Sequence, residues 1–407
     1  MKPVSVMLIA GEASGDVLAA ELVRQLGAQF IRSALRPTLD VQPLHTSLSP
    51  QFFGAGGTNM AEAGVELAVD LTAHAVVGLA EVLKRLRTFK KLFDQLVLLA
   101  IQRQPDVIVC VDFSGFNRRF AHAVKNHVRS TRGAFRNWDP KIVQYVSPQV
   151  WASRPGRAKS MAEDFDLVLT IFPFETEWYR QHVPELRTEF VGHPMIDRYA
   201  EFRDRVAARS QPAKPTSPTI LLLPGSRPGE LKRHLPPMLD AVERISKAQA
   251  AQFEMVLPNH ALLPLAHAIG GPKLTAVKVQ IGDLAEALLR ADLAVASTGT
   301  VTMECAYFGV PTVAMYITSW STYQIGKRII KVPYLAMPNL LAGESVFPEL
   351  IQQEATAENI TREVLALLNA PQRREAIRSK LSSLTSSLGD RYASRRAATA
   401  VVSLILF

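Results

Sequence analysis

The chain has 407 residues, 48% of them hydrophobic and 20% charged, with a formal net charge of +9, which is enough for two domains with substantial cores and unlike a disordered chain. The positive balance favours anionic partners, but no zinc spacing, aromatic stacking signature or recognition-helix pattern supports nucleic acid. No run of about 18 uncharged apolar residues occurs, so no helix is expected to span a bilayer, and the first ten residues lack the pattern of a signal peptide.

Residues 4–10 read as a buried strand, Gly11-Glu12-Ala13-Ser14-Gly15-Asp16 as a turn, and 17–26 as a helix. The turn lacks G-x-G-x-x-G spacing, so no nicotinamide or flavin cofactor is expected. It is either a tight strand-to-helix connection, with Asp16 where the helix dipole favours negative charge, or part of a ligand site. Residues 31–52, broken by Pro37, Pro43 and Pro50, read as a surface insertion. Across 76–101 apolar positions recur at helical spacing, and five basic residues fall within 84–91. Such a helix either packs on a core with a solvated basic face or lies on an anionic membrane.

The apolar run 106–111 ends in Asp112, at the strand end where α/β active sites form. A carboxylate there suits a general base, and equally a cap or turn former. After a further strand at 141–146 come Ser147 and Trp151, which suit a sugar or acyl face or an interdomain packing surface. Residues 167–171 form another short strand. Cys110 and Cys305 each sit inside an apolar run and read as buried thiols, which fits a reducing cytoplasm. Histidines do not cluster, and no acidic triad marks a metal; His193 reads as a loop histidine.

Residues 208–218, rich in Pro and Ser, are the best linker by composition. The strand–turn–helix rhythm restarts with the apolar run 219–224 and continues at 253–257, 276–281, 293–296 and 312–316. Parallel strands alternating with helices predict an α/β fold of two doubly wound Rossmann-like domains facing across a cleft. The expected division is 1–207, linker 208–218, 219–371, and a helical tail 372–407 packing back on the first domain.

The turn Gly225-Ser226-Arg227-Pro228-Gly229-Glu230 follows the first strand of the second half. Free N–H groups at a helix start bind anions, and Arg227 adds a forked, permanently charged donor. The logic repeats at Ser297-Thr298-Gly299-Thr300, with Glu304 about one turn into the next helix, placed to accept bonds from a ribose. Two such turns favour a nucleotide diphosphate. Asn339, in Pro338-Asn339-Leu340-Leu341, reads as a cap or as a ligand donor.

These motifs, together with Tyr145-Val146-Ser147-Pro148, Phe172-Pro173-Phe174-Glu175 and Gly192-His193-Pro194, stand in the same order as in lipid-A-disaccharide synthases, and the chain resembles that family over nearly its whole length. The resemblance implies a GT-B type inverting glycosyltransferase, with no metal or cofactor. It would transfer 2,3-diacylglucosamine from UDP-2,3-diacylglucosamine to 2,3-diacylglucosamine 1-phosphate, giving a β-1,6-linked disaccharide 1-phosphate and UDP. It implies Asp112 as base, Arg227 with Gly225, Ser226, Gly299 and Thr300 on the diphosphate, Glu304 on the ribose, and Asn339 facing the cleft. Glu230 and Thr298 join the UDP site; Glu12, Ser14, Gly15, Asp16, Ser147 and Trp151 line the acceptor side. The enzyme would be cytoplasmic, peripheral on the inner membrane through 76–101; self-association as a homo-oligomer is left open. Thr298 stands where the family usually has Ser, and Ser153 where it has Trp. The rival readings are another UDP-sugar enzyme, a UDP-GlcNAc 2-epimerase or a cell-wall GlcNAc transferase, and a non-catalytic UDP-sugar or lipid-binding protein.

Overall fold

Apolar runs of five or six residues with no polar interruption can be buried on both faces only as strands of a parallel sheet covered by helices. The computed structural model describes residues 3–34, 50–72, 79–133, 135, 137–208 and 217–406, without the side chains of 33, 34, 79–86, 88 and 406. Its strands are β1 (Ser5–Ala10), β2 (Gln51–Gly56), β3 (Glu66–Asp70), β4 (Val107–Val111), β5 (Lys141–Tyr145), β6 (Leu167–Thr170), β7 (Thr188–Phe190), β8 (Thr219–Leu223), β9 (Gln252–Leu257), β10 (Lys278–Ile281), β11 (Leu293–Ser297), β12 (Thr312–Tyr316) and β13 (Glu349–Ile351). They form two sheets, ordered β3-β2-β1-β4-β5-β6-β7 and β10-β9-β8-β11-β12-β13. Every pairing is parallel.

Both sheets are doubly wound and Rossmann-like. In each the chain starts in the middle, builds outward, then returns to build the other side. Strand order therefore reverses between β1 and β4 and between β8 and β11, and ligands of such sheets collect beyond the carboxyl ends of those strands. Register places the relevant residues there: Ala10 pairs with Val111 and Leu223 with Ala296. Gly11 and Asp112 thus leave the first sheet side by side, and in the second Pro224 leaves beside Ser297, the last residue of β11.

The first unit comprises Met1–Asp197 with Leu388–Phe407, the second Arg198–Ser387. The chain passes into the second unit ahead of the Pro-rich segment 208–218, of which 209–216 lie outside the described residues. Contacts explain the early passage: the Tyr199 hydroxyl donates to Glu304 at 2.7 Å, Tyr307 donates to the Tyr199 carbonyl, and Tyr199 and Phe202 pack on Phe308. The segment 372–407 is divided too. The Pro371–Ser387 helix stays with the second unit, whereas the Ala393–Leu406 helix packs along Ala13–Ala34 in the first. Gln29 donates to Thr399 across that contact at 2.8 Å, and the Ser394 hydroxyl reaches Glu21 at 3.4 Å.

The expected insertion 31–52 is also shorter than composition indicates: 31–34 end the first helix, 51–52 begin β2, and 35–49 lie outside the described residues. Among the described residues no helix is long and apolar enough to cross a membrane. Cys110 and Cys305 are buried free thiols, and burial pushes the Cys305 thiol up to about 12.

Candidate active site

At the β1/β4 switch point the backbone is bent hard. Asp112 and Phe113 both adopt positive φ, +50° and +38°, and Val146 at the end of β5 has φ +67°. Non-glycine residues rarely accept this region, least of all β-branched ones, and each costs on the order of 1–3 kcal/mol. The surroundings hold them there. The buried Gln144 amide donates to the carbonyls of Asp112, Tyr145 and Val146 at 3.0, 3.3 and 3.1 Å. Asn117, also buried, donates to Asp112 at 2.8 Å. Gly11 completes the turn, because a Cβ there would lie 2.1 Å from the Phe113 ring. The result is a half-buried Asp112 on a backbone fixed at its carbonyl, beside Gly15, whose added Cβ would sit 3.7 Å from the Asp112 Cβ.

The other residues expected on this side divide by role. Asp16 is buried and its carboxylate accepts from the N–H groups of Gly57, Asn59 and Met60 and the Asn59 amide, at 2.7–3.2 Å. It caps the short Thr58–Glu62 helix, an internal task, while Glu12 is half-buried and Ser14 exposed. Ser147 is buried and donates to the Tyr179 hydroxyl at 3.1 Å. Trp151 donates to Glu175 at 3.1 Å and meets Phe174 edge-on at 4.9 Å.

Glu175 is the titratable group that sequence reasoning missed. It is fully buried and also accepts from the N–H groups of Ile171 and Phe172, at 3.2 and 3.1 Å. Burial pushes its carboxyl up to about 7, against hydrogen bonds from Phe172, Trp151, Ile171 and Ser147 that pull it down. The signal available was local: Pro at a helix start with Glu two residues later, the usual arrangement for returning a carboxylate to the helix entry.

In the second unit Gly225 has φ +117°, and an added Cβ would lie 2.4 Å from Glu230 Oε2. Glu230 folds back over the turn, accepts from the Ser226 N–H at 2.9 Å and approaches Arg227 at 3.9 Å. The turn therefore holds an anion, its own carboxylate, as its free N–H groups and guanidinium predict. His234, buried one turn further on, contacts the Pro224 carbonyl through Nδ1 at 2.8 Å and accepts from the Ile317 N–H through Nε2 at 3.0 Å. Burial lowers its proton affinity, and the neutral ring ties the end of β8 to the end of β12.

The matching turn after β11 leaves Gly299 and Thr300 exposed at the start of the Thr300–Tyr307 helix, with Thr298 half-buried. Glu304 is oriented by Tyr199; burial raises its carboxyl, opposed by the Tyr199 hydrogen bond and by Arg198. Asn339 is placed inward. It is fully buried, donates to the Phe347 carbonyl and Glu349 at 2.8 Å, and accepts from the Phe347 N–H at 2.8 Å. Its amide knits the Met337–Ala342 helix to β13, in place of the exposure to a cleft that the resemblance implies. Among the described residues no group of His, Cys, Asp and Glu could hold a metal ion.

Two all-parallel, doubly wound Rossmann-like sheets with switch-point turns of this kind are the architecture of the GT-B fold. The Lipid-A-disaccharide synthetase family model matches residues 6–404. Lipid-A-disaccharide synthase of Geobacter sulfurreducens is 35% identical over 410 residues, covering 98% of this chain and 97% of the relative. That of Trichlorobacter lovleyi is 36% identical over 411 residues, covering 99% and 98%. The chain belongs to the lipid-A-disaccharide synthase family. Among solved structures, UDP-GlcNAc 2-epimerase from Neisseria meningitidis bound to UDP-GlcNAc has a TM-score of 0.57 at 11% identity, over 100% of both chains. Acinetobacter baumannii MurG has a TM-score of 0.54 at 13% identity, over 99% of this chain and 100% of that one. At such identities the likeness is one of fold alone.

Proposed function

We propose that this protein transfers 2,3-diacylglucosamine from UDP-2,3-diacylglucosamine to the 6-hydroxyl of 2,3-diacylglucosamine 1-phosphate, with inversion at the anomeric carbon. The observation that carries the reading is Asp112, on a backbone turn held by Gln144 and Asn117, at the first switch point of a chain in this family. Asp112 takes the proton from the acceptor hydroxyl as its oxygen bonds the anomeric carbon from the face opposite UDP. The bond to the diphosphate breaks and its electron pair leaves with UDP. Arg227 and the N–H groups of Gly225, Ser226, Gly299 and Thr300 disperse that charge. Glu230 yields the Ser226 N–H to the incoming diphosphate, and Glu304, oriented by Tyr199, accepts from the ribose.

Acylated sugars partition into membranes, so the proposed site of action is the cytoplasmic face of the inner membrane. The Leu79–Arg103 helix supports that, since Arg87, Lys90, Lys91 and Leu98 share an exposed face. Residues 76–78 of the expected amphipathic segment and the side chains of Lys84 and Arg85 lie outside the described residues.

The test is an assay of the purified protein with both acylated substrates, scored for disaccharide and UDP. Asp112→Asn is expected to lower turnover by roughly 10²–10⁴, the usual worth of a general base, while UDP binds as before. Folded protein that releases no UDP and forms no disaccharide sinks the reading; a variant that turns over like the parent removes Asp112 as base.

A further inference from the structure

Most arginines with a described partner here face a carboxylate: Arg103 pairs with Glu66, Arg180 with Glu177, Arg205 with Glu286, Arg290 with Glu254. Arg118, Arg119, Arg154 and Arg157 do not. Among the described residues none of the four has an ion pair within 4.0 Å, and the one side-chain hydrogen bond is a long 3.4 Å contact from Arg118 to Ser160. They are also close enough to act on one another. The charges of Arg119 and Arg154 bear on Arg118, and those of Arg154, Arg118 and Arg119 on Arg157. Asp164, the carboxylate that reaches Arg118, is already held by His122 at 3.0 Å and Arg129 at 3.6 Å.

The Arg157–Asp164 helix carries no acid in its first turn and opens on Arg157 itself, with its dipole's positive end toward that cation. Four guanidinium groups gathered without a paired carboxylate are a costly arrangement that a bound anion relieves. All four residues follow β4 or β5, at the sheet edge where Asp112 sits. Arg118 lies about 6 Å up the helix from Ser114 at 1.5 Å per residue, a distance of the order of a sugar ring.

We propose that Arg118, Arg119, Arg154 and Arg157 form the site for a sugar-borne phosphate monoester, the anionic end of the acceptor, so that a hydroxyl elsewhere on the same sugar reaches Asp112. This rests on the proposed transferase reading. Guanidinium forks suit the several oxygens of a terminal phosphate; the same chemistry in a membrane headgroup is the competing source.

The exposed pair is changed together, Arg154→Gln with Arg157→Gln, and Arg118→Gln is made separately. Transfer to 2,3-diacylglucosamine 1-phosphate is compared with transfer to 2,3-diacylglucosamine lacking the phosphate. The ratio of the two kcat/KM values is expected to fall by roughly tenfold or more in each variant, with the donor KM unchanged. An unchanged ratio overturns the site while leaving the transferase reading intact. If the parent forms no disaccharide at all, that reading fails and the site is judged by calorimetric titration with glucosamine 1-phosphate. Binding to the parent and loss in the variants supports it; equal heats overturn it. Variants that lose co-sedimentation with phosphatidylglycerol vesicles yet keep the acceptor ratio assign the arginines to a headgroup, and the proposal falls.

Discussion

Replacing Glu175 by Gln should change how the first unit's stability depends on pH. Burial holds the folded carboxyl near 7, above its ordinary 4.5. Below 4.5 both folded and unfolded forms are protonated. As pH rises from there, the unfolded chain releases its proton first, so the folded state binds more protons and loses stability until the folded group ionises near 7. At about 1.4 kcal/mol per pH unit the loss sums to about 3 kcal/mol, of which about 2.5 falls between pH 5 and pH 8. The Gln variant does not titrate. It starts less stable by about 1 kcal/mol, since its amide cannot accept from all three of the Trp151, Ile171 and Phe172 N–H groups, and it then gains on the parent as pH rises. Urea unfolding read by tryptophan fluorescence suits the test, because Trp138, Trp151 and Trp178 lie in the first unit and only Trp320, which is exposed, lies in the second. A stability difference between parent and variant that stays constant from pH 5 to pH 8 would refute the argument.

Asn339→Ala should cost the second unit about 1–3 kcal/mol in urea melts, since it strands the buried N–H of Phe347 and leaves the Phe347 carbonyl only its Ser345 donor; unchanged stability with lost transfer would instead make Asn339 a ligand contact. Changing Arg87, Lys90 and Lys91 to Gln should weaken co-sedimentation with anionic vesicles at least tenfold, at about 1 kcal/mol per basic residue. Equal sedimentation would return that helix to a solvated surface.

The alternating architecture was legible because its strands are short, unbroken apolar runs. β12 matches the expected 312–316, and β1, β4 and β5 lie within one residue of the expected runs. β2 escapes such a reading, as Gln51, Gly54 and Gly56 give it a composition poor for strands, and its pairing with β1 supplies what local propensity lacks. The switch-point turns were legible for the same reason as the strands they follow. What holds those turns was not. Glu304 meets Tyr199 across 105 residues of chain, Asp112 meets Gln144 across 32, and Trp151 meets Glu175 across 24. Residue type and spacing carry no trace of such pairs, whereas a carboxylate at a helix start, like Glu230, announces its local partner.

The Ala393–Leu406 helix lies along Ala13–Ala34, a helix synthesised well before it. At about 5–20 residues per second, roughly 20–70 seconds separate the two on the ribosome. Throughout that interval the Ala13–Ala34 helix awaits this partner, while the whole second unit emerges and is free to fold. Of the two units, the one begun first is therefore the one completed last.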